Sequence, residues 1–358
     1  LEENKSKMIP IGSFSFSGGK PNILPRESIV YSVGQGVCIT SVDRKTKDFI
    51  WSDRYGFGAC ASSPSHGLIA VADYGLNPAI RIYSFPSKEL VYILKDGARL
   101  EYTHLAFSRD GTKLAALSGV PDNKLFIWDL KTGQKLRGID TVIKDKVIGM
   151  EFDPSRNEVL CILTKRAANF IQILTAYSGV NDPDDIEDNY EISFRTKSNE
   201  FRPNDAEVQF DNFIWDSAGR IFLATSENEI KVVEEQSLME EYYIKTEAPV
   251  RAMLLTQKHL IISLDNNKIE WRVIPLPNEI QDFLEPSESD DIPPLCRYPL
   301  GKETNLPHKI VSMSYNVPYT RIILLSDNGE LSYVNMIAEK VDDEDDDDDD
   351  DEEEENHH

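Results

Sequence analysis

Short apolar runs alternate with turn residues throughout the segment Tyr102–Leu136. Runs of this length, with apolar side chains at alternating positions, are typical of strands and too short for helices. Between the first two runs, the dipeptide Asp110-Gly111 provides turn chemistry, since Asp bonds to nearby backbone N–H groups and Gly tolerates a positive φ. The segment therefore predicts four consecutive strands: Tyr102–Phe107, Lys113–Leu117, Leu125–Trp128 and Gln134–Arg137.

The dipeptide Trp128-Asp129, which ends the third predicted strand, follows the Asp110-Gly111 turn at a short distance. This combination resembles a blade of the WD40 β-propeller proteins. A single blade leaves both faces of its small sheet exposed, so one blade requires others on either side. We therefore expect Trp128, Asp129, Asp110 and Gly111 to have structural roles within a ring of blades.

The same pattern recurs along the chain with a regular period. Outside two insertions, the ends of the first strands of successive units lie roughly 40–45 residues apart, as in WD40 repeats. These ends are Ser62, Phe107, Phe152, Trp215, Leu255 and Tyr315. A pair of stacked β-sandwiches is the alternative architecture, but the steady period and the Trp-Asp dipeptide favour a ring.

Two incomplete units, the first and the last, indicate how the ring closes. The first unit contains only Ile29–Val33, Val37–Val42 and Asp48–Trp51, so its innermost strand is expected to be missing or irregular. The last unit also has three strands, and the isolated run Ile11–Phe16 would supply its outer strand. The sequence thus predicts an all-β fold, a WD40-like seven-bladed β-propeller over residues 1–340. An acidic, disordered low-complexity tail or linker is expected at residues 341–358.

Charge and composition exclude several classes of function. The net charge is −24, but fourteen of the acidic residues form the single run Asp342–Glu355, so the remainder is only moderately acidic. Without a basic stripe, nucleic acid is not expected as a partner. No apolar run approaches the roughly 20 residues of a membrane helix, so no membrane association is expected. The four cysteines show no CxxC spacing, which indicates free thiols in the reducing cytoplasm.

No constellation of residues in the chain predicts catalysis. Gly34 and Gly36 form a lone GxG without the third glycine or the helix of a dinucleotide loop. Asp182–Asp188 lacks the glycine and closing glutamate of a calcium loop. The internal histidines fall in different units, as expected of structural residues: His66, His104, His259 and His308. The sequence predicts a protein that is not an enzyme, with no cofactor, no metal site and no small-molecule substrate.

A closer resemblance lies in the second unit, over Ala72–Pro86, which reads ADYGLNPAIRIYSFP. An acidic residue followed by N-P-x-I-x-I-Y-x-F-P is not general to WD40 repeats. It resembles the first propeller of the cilia- and flagella-associated WD-repeat proteins, and Phe201–Asp205 is similar to one member of that group. The family-like turn consists of Asp73, Asn77, Pro78, Tyr83 and Pro86.

The resemblance implies a role in the axoneme of a cilium or flagellum, within the cytoskeleton. Members of that family pair into a tether that holds the motor heads of inner-arm dynein against the doublet microtubule. The implied partners are other axonemal proteins, including another WD-repeat tether subunit and an inner-arm dynein heavy chain. Full-length members have two propellers followed by a coiled coil, whereas this chain ends after one propeller in an acidic run.

Two insertions, Ala176–Glu200 and Pro275–Pro307, are where we expect partner contacts to be added most readily. The sequence does not identify individual partner-binding residues. The acidic run has two interpretations, a solvated disordered segment or an arm for a basic partner. The second interpretation supports an alternative function: an acidic-tailed WD-repeat chaperone or adaptor for basic nuclear proteins such as histones or ribosomal proteins.

Overall fold

The computed structural model describes residues 9–13, 22–26, 28–33, 35–41, 46–52, 55–141, 143, 145–178, 191–256, 258–274, 300–315 and 321–335. Within these residues the structure has 28 β-strands and no helix. They form seven four-stranded antiparallel sheets. Within the same residues no helix is long and apolar enough to cross a membrane.

The seven sheets are the blades of a propeller, which confirms the predicted fold. In blades one to six the strands follow chain order from the innermost to the outermost. Blade one consists of β2 (Asn22–Leu24), β3 (Ser28–Val33), β4 (Gly36–Ser41) and β5 (Lys47–Trp51). Blade two consists of β6 (Phe57–Ser63), β7 (Leu68–Asp73), β8 (Ile80–Ser84) and β9 (Leu90–Leu94). Blade three consists of β10 (Tyr102–Phe107), β11 (Lys113–Ser118), β12 (Lys124–Asp129) and β13 (Lys135–Asp140).

Blades four to six follow the same plan, and blade seven combines both ends of the chain. Blade four consists of β14 (Val147–Phe152), β15 (Val159–Thr164), β16 (Ala168–Ser178) and β17 (Glu191–Phe201), and blade five of β18 (Phe210–Trp215), β19 (Arg220–Thr225), β20 (Glu229–Glu234) and β21 (Met239–Lys245). Blade six consists of β22 (Val250–Leu255), β23 (His259–Leu264), β24 (Lys268–Val273) and β25 (Leu300–Asn305). Blade seven consists of β26 (Ile310–Tyr315), β27 (Arg321–Ser326), β28 (Glu330–Asn335) and, at its outer edge, β1 (Ile9–Ser13).

Strand β1 closes the ring, as the sequence predicts. It pairs with β28 in antiparallel register, with Ile9 opposite Tyr333 and Ser13 opposite Glu330. The strand lies earlier than the expected Ile11–Phe16, of which residues 14–16 lie outside the described residues. Because β1 completes the outer edge of blade seven, the first described strand and the last belong to one sheet.

Blade one departs from the prediction, because its innermost strand is present. Strand β2 has only three residues, and Asn22 pairs with Val30 while Leu24 pairs with Ser28. Leu24 is fully buried in the apolar cluster between blades one and two. A run of three residues is too short to show a period in the sequence, so the expectation of a missing strand was wrong.

Three outer strands also differ from their predicted bounds by several residues, and the first of them, expected at Gln134–Arg137, is β13 (Lys135–Asp140). The fourth strand of blade four, expected at Glu191–Arg195, extends to Phe201, and its partner β16 is equally long. In blade six the fourth strand is β25 (Leu300–Asn305), and of the expected strand Arg297–Leu300 the residues 297–299 lie outside the described residues. The boundary at residue 340 stays a prediction, because residues 336–358 lie outside the described residues.

The core consists of seven apolar clusters, one at each contact between neighbouring blades. Between blades two and three, Trp128 is 1% exposed and packs on Tyr102 and Phe126. The ring centroids of Trp128 lie 6.1 Å from Tyr102 and 5.8 Å from Phe126. The Tyr102 hydroxyl accepts the Ala98 N–H at 2.9 Å, and burial raises the pKa of Tyr102 to about 12. Three aromatic rings are therefore packed against one another within this interface, among smaller alanine, leucine and isoleucine side chains.

We predict that removing residues 1–18 lowers the melting temperature, because the deletion takes β1 away and leaves β28 as an unpaired edge. Thermal unfolding followed by circular dichroism measures the effect. A chain cut after Lys340 is the matched control and should melt like the full chain. Equal melting temperatures for all three chains would show that β1 adds nothing to closure.

We also predict that Trp128→Ala destabilises the fold by about 3–5 kcal/mol, the usual cost of truncating a buried tryptophan. Trp51 offers a matched control, since it is 62% exposed on an outer strand. Trp51→Ala should change the free energy of unfolding by no more than about 0.5 kcal/mol. Urea unfolding of both variants makes the comparison, and equal effects would contradict the structural role of Trp128.

Candidate partner-docking face

The propeller has two faces, which the order of the strands defines. The loops between second and third strands and the links from one blade to the next emerge on one side, here called the upper face. The turns between first and second strands and the connections between third and fourth strands emerge on the other, the lower face. Each predicted site residue can be placed on one of these faces or in the core.

The family-like turn begins at the upper end of blade two. The Asp73 carboxylate is buried and accepts a hydrogen bond from the guanidinium of Arg81 through Oδ1. Its second oxygen, Oδ2, has no hydrogen-bond partner among the described residues. Asn77 adopts a φ of 49°, a left-handed conformation that Asn tolerates better than most residues. These residues shape the loop and lie beneath its exposed side chains.

Backbone hydrogen bonds join this loop to the links on either side. The Tyr74 N–H donates to the carbonyl of Gly56 at 2.9 Å, in the link from blade one. The Gly75 N–H donates to the carbonyl of Leu100 at 3.0 Å, in the link to blade three. Three consecutive loops of the upper face are thereby held as one layer.

The side chain of Asp122, in the loop between β11 and β12, extends this layer to blade three. The Asn77 N–H donates to the carbonyl of Arg99 at 2.8 Å, and Arg99 in turn binds Asp122. The Arg99 N–H lies 2.6 Å from Asp122 Oδ2, and Arg99 Nε lies 2.6 Å from Oδ1. Burial raises the pKa of Asp122, but the two hydrogen bonds and the charge of Arg99 outweigh it and hold the pKa below its usual value.

Large apolar side chains stand exposed on this layer of loops. Their exposed fractions range from 44% to 75%. We call them the loop patch: Tyr55, Tyr74, Leu76, Leu100 and Val120. Exposed aromatic and aliphatic side chains on a rigid support are typical of the centre of a protein–protein interface.

Gly75 makes room for one tyrosine of the loop patch, Tyr55. Its φ is 114°, a conformation that a side chain would strain. A Cβ atom at this position would lie 2.7 Å from Cδ2 of Tyr55, so the ring of Tyr55 lies against the glycine backbone. The loop thus needs glycine here both for its conformation and for the contact with Tyr55.

The structure brings together only part of the family-like turn. Asp73, Asn77 and Pro78 lie at the upper face, beneath the loop patch. Tyr83 lies at the opposite end of β8 and packs in the cluster between blades one and two. Pro86 follows β8 in the turn to β9, on the lower face. The last two residues therefore shape blade two and do not contribute to the docking face.

The WD signature occupies structural positions in blade three. Asp129 Oδ1 accepts the N–H of Lys131 at 2.7 Å, which fixes the turn to β13. Asp110 Oδ1 accepts the N–H of Thr112 at 3.0 Å within the turn before β11. Gly111 has a φ of 68° in that turn. All of these residues lie on the lower face, away from the loop patch.

Sequence reasoning missed the loop patch altogether. Tyr74 and Leu76 were assigned to a turn, where exposed polar residues are the usual expectation. The sequence feature that could have indicated them is the presence of an aromatic and an aliphatic residue inside a turn of glycine, asparagine and proline. Nothing in the sequence places Tyr55 or Val120 beside them, because only the ring brings the four separate loops of the patch together.

The two insertions both connect third to fourth strands. The chain leaves β16 at Ser178 and re-enters at Glu191, and it leaves β24 at Val273 and re-enters at Leu300. Both connections therefore start and end on the lower face. Their role in partner contact stays a prediction, since residues 179–190 and 275–299 lie outside the described residues.

A central cavity of about 960 Å³ runs between the innermost strands. Cys60 and His104 are among its lining residues. Burial raises the pKa of the Cys60 thiol to about 12 and lowers the pKa of the His104 imidazole. At neutral pH both groups are therefore uncharged, and the thiol is not activated as a nucleophile.

Three carboxylates, from Glu247, Glu270 and Glu303, lie within 4.8 Å of one another at blade six. Two of them bind the Lys268 ammonium, at 2.7 Å from Glu247 and 2.6 Å from Glu303. Glu270 is paired with Arg272 at 2.6 Å. Because each of the three carboxylates already binds one of two cations, Lys268 or Arg272, we interpret the group as an ion-pair network of the sheet.

The clamp between Arg99 and Asp122 predicts a pH dependence. Because the pKa of Asp122 is lower in the folded protein, its contribution to stability is complete above the unfolded value near 3.8 and is lost as the pH falls through the folded value. Asp122→Asn should therefore melt below the wild type at pH 7, and the gap should narrow below pH ~4. Melting curves across that range test this, with Asp140→Asn as an exposed control.

Comparison with known proteins gives the family. The model described as CFAP43 N-terminal domain matches residues 23–269, from the first blade to the sixth. Mouse cilia- and flagella-associated protein 44 is 28% identical over 159 residues, which is 44% of this chain and 9% of that protein. Xenopus laevis cilia- and flagella-associated protein 43 is 26% identical over 148 residues, 41% of this chain and 9% of that protein.

A third relative, mouse cilia- and flagella-associated protein 43, is 30% identical over 141 residues, 39% of this chain and 8% of that protein. The aligned segments thus span less than a tenth of the relatives' length. A chain in a crystal structure of the mitotic checkpoint complex superposes with a TM-score of 0.63 at 8% identity, over 94% of this chain and 98% of that one, which indicates the fold alone. Because the family model covers more than half of the chain, the predicted resemblance is confirmed: this chain belongs to the CFAP43 N-terminal domain family of cilia- and flagella-associated proteins.

Proposed function

We propose that this chain is a non-enzymatic protein-docking scaffold of the ciliary or flagellar axoneme, and that it docks its partner through the loop patch. The observation that carries the proposal is the set of exposed apolar side chains on hydrogen-bonded loops of blades one to three. Membership of a family of cilia- and flagella-associated proteins supports the location.

The geometry of the loop patch suits a folded protein partner. Its side chains lie on loops fixed by main-chain hydrogen bonds, so little conformational entropy is lost when a partner binds. Tyr55 and Tyr74 add large contact areas with few rotatable bonds. We expect the partner to present apolar side chains at the centre of its contact surface and polar ones around them.

The more specific role within this proposal is that of a dynein tether. In it, the scaffold holds inner-arm dynein motor heads on the doublet microtubule together with another WD-repeat subunit. The resemblance of Ala72–Pro86 to the family supports this role. The tether role belongs to a protein much longer than this propeller, since the aligned segments cover 9% or less of the three relatives compared.

The alternative, a chaperone or adaptor for basic nuclear proteins, rests on the acidic run Asp342–Glu355. Contacts made by such a run are screened by salt over a Debye length of about 8 Å at physiological ionic strength. Contacts of the loop patch are apolar and persist at high salt. The two functions therefore differ in their salt dependence as well as in their location in the cell.

We predict that the double variant Leu76→Ser/Val120→Ser reduces the retention of the chain on axonemes, because it removes two of the most exposed apolar side chains of the loop patch. Met239→Ser is the matched control, since Met239 is 67% exposed on the outer strand of blade five. The measurement compares tagged chains in ciliated cells, after the axonemes are washed in high salt. A chain cut after Lys340 should be retained like the wild type.

Two outcomes would contradict the proposal. If the loop-patch variant and the wild type are retained equally, the docking face lies elsewhere on the propeller. If the tagged chain accumulates in the nucleus and the chain cut after Lys340 does not, the chaperone function is favoured. Circular dichroism of the purified variants shows whether a loss of retention follows from misfolding.

A further inference from the structure

The outer strands of the seven blades differ in how they protect their free edges. An exposed strand edge can pair with another chain, and charged residues or proline on the edge normally prevent this. Strands β5, β13, β17, β21 and β25 each contain charged residues, and β1 contains Pro10. Among the outer strands that the structure describes, β9 alone has neither, since its sequence is LVYIL.

The apolar side chains of β9 are also unusually accessible. Leu90, Val91 and Ile93 are each 44–46% exposed. On its inner side β9 pairs with β8, and it is the last strand of its sheet. The register shifts at Val91, between the pairs Ile82–Tyr92 and Tyr83–Leu90, and the outer strands β13, β21 and β25 carry a similar shift. Tyr92 holds the strand in place, because its hydroxyl donates to the carbonyl of Lys131 in blade three at 3.3 Å. The strand is therefore a fixed apolar edge on the rim of the propeller.

The segment around β9 is complementary in charge to a second, antiparallel copy of itself. The segment from Lys88 to Asp96 reads KELVYILKD. When two copies are laid antiparallel about Tyr92, Glu89 of each copy stands opposite Lys95 of the other. Lys88 likewise stands opposite Asp96, although both of these residues have a positive φ at the ends of the strand. All four charged residues are exposed, but Lys88 already pairs with Asp48 of blade one at 3.1 Å, so the pair of Glu89 with Lys95 carries the charge argument.

The apolar residues match in the same register. Val91 of one copy stands opposite Ile93 of the other, whereas Leu94 lies in the core between blades two and three and is not available to the second copy. Residues directly opposite in an antiparallel pair lie on the same face of the sheet and contact each other. The half-exposed Val91 and Ile93 would therefore cover each other across the pair, and their free edges would exchange main-chain hydrogen bonds.

We propose that two copies of this chain associate through β9, in antiparallel register about a two-fold axis at Tyr92. The two second blades then form one continuous sheet, and the same residues contribute from each copy, as a two-fold interface requires. The interface lies on the rim, whereas the loop patch lies on the upper face. The β9 interface is therefore separate from the loop patch, and a dimer leaves both copies of the loop patch open to a partner.

The opposed charges give a direct test of this register. Glu89→Lys places two lysines opposite each other in each half of the pair, and Lys95→Glu places two glutamates there. Each variant alone should lose the dimer that the wild type forms at high protein concentration. An equimolar mixture of the two variants should regain it, because every contact across the axis then joins opposite charges.

Sedimentation equilibrium of the full 358-residue chain measures the mass in each case. Lys197→Glu, a charge reversal on the outer strand of blade four, is the matched control and should dimerise like the wild type. Ile93→Lys, which places a charge on the free edge, should be monomeric. Circular dichroism spectra of the variants should match that of the wild type.

Three results would overturn the proposal. The wild type could be a monomer at every concentration, the two single variants could dimerise like the wild type, or their mixture could stay monomeric. The last result would exclude this register even if another interface forms. None of these results bears on the loop patch, so the docking function would stand or fall separately.

Discussion

Face-to-face packing of neighbouring sheets holds this molecule together. Each blade is apolar on both faces, and each of the seven clusters takes its side chains from two adjacent blades. The cluster between blades one and seven joins Ile29 and Tyr31 to Ile323 and Leu325. No blade can be removed without exposing two apolar faces, so the stability of the ring is a property of all seven.

Much of the fold could be predicted from the sequence, because strands and turns are encoded locally. The turn at Asp110-Gly111 and the dipeptide Trp128-Asp129 define one blade, and the period of the pattern extends it to seven. Strand β2 could not be predicted, since three residues carry no period. The full length of β17 was missed because its second half, Thr196–Glu200, is polar and continues the sheet only through its partner β16.

The loop patch was harder to predict, for a physical reason. Its side chains come from four loops that are separate in sequence and become neighbours only when blades one to three stand side by side. The family-like turn lies beneath the loop patch only in part, through Asp73, Asn77 and Pro78, whereas Tyr83 packs in the core and Pro86 lies on the lower face. The residues of the family-like turn thus support the loop from below, while the exposed Tyr55 and Val120 do not belong to that turn.

The pairing of β1 with β28 has a consequence for how the protein is made. Of the 28 described strands, β1 is synthesised first and its partner β28 last. Until Tyr333 emerges, Ile9 has no strand to pair with, and blades one to six can form only an open arc. The arc exposes an apolar sheet face on blade one and another on blade six, and both are covered only when blade seven forms between them.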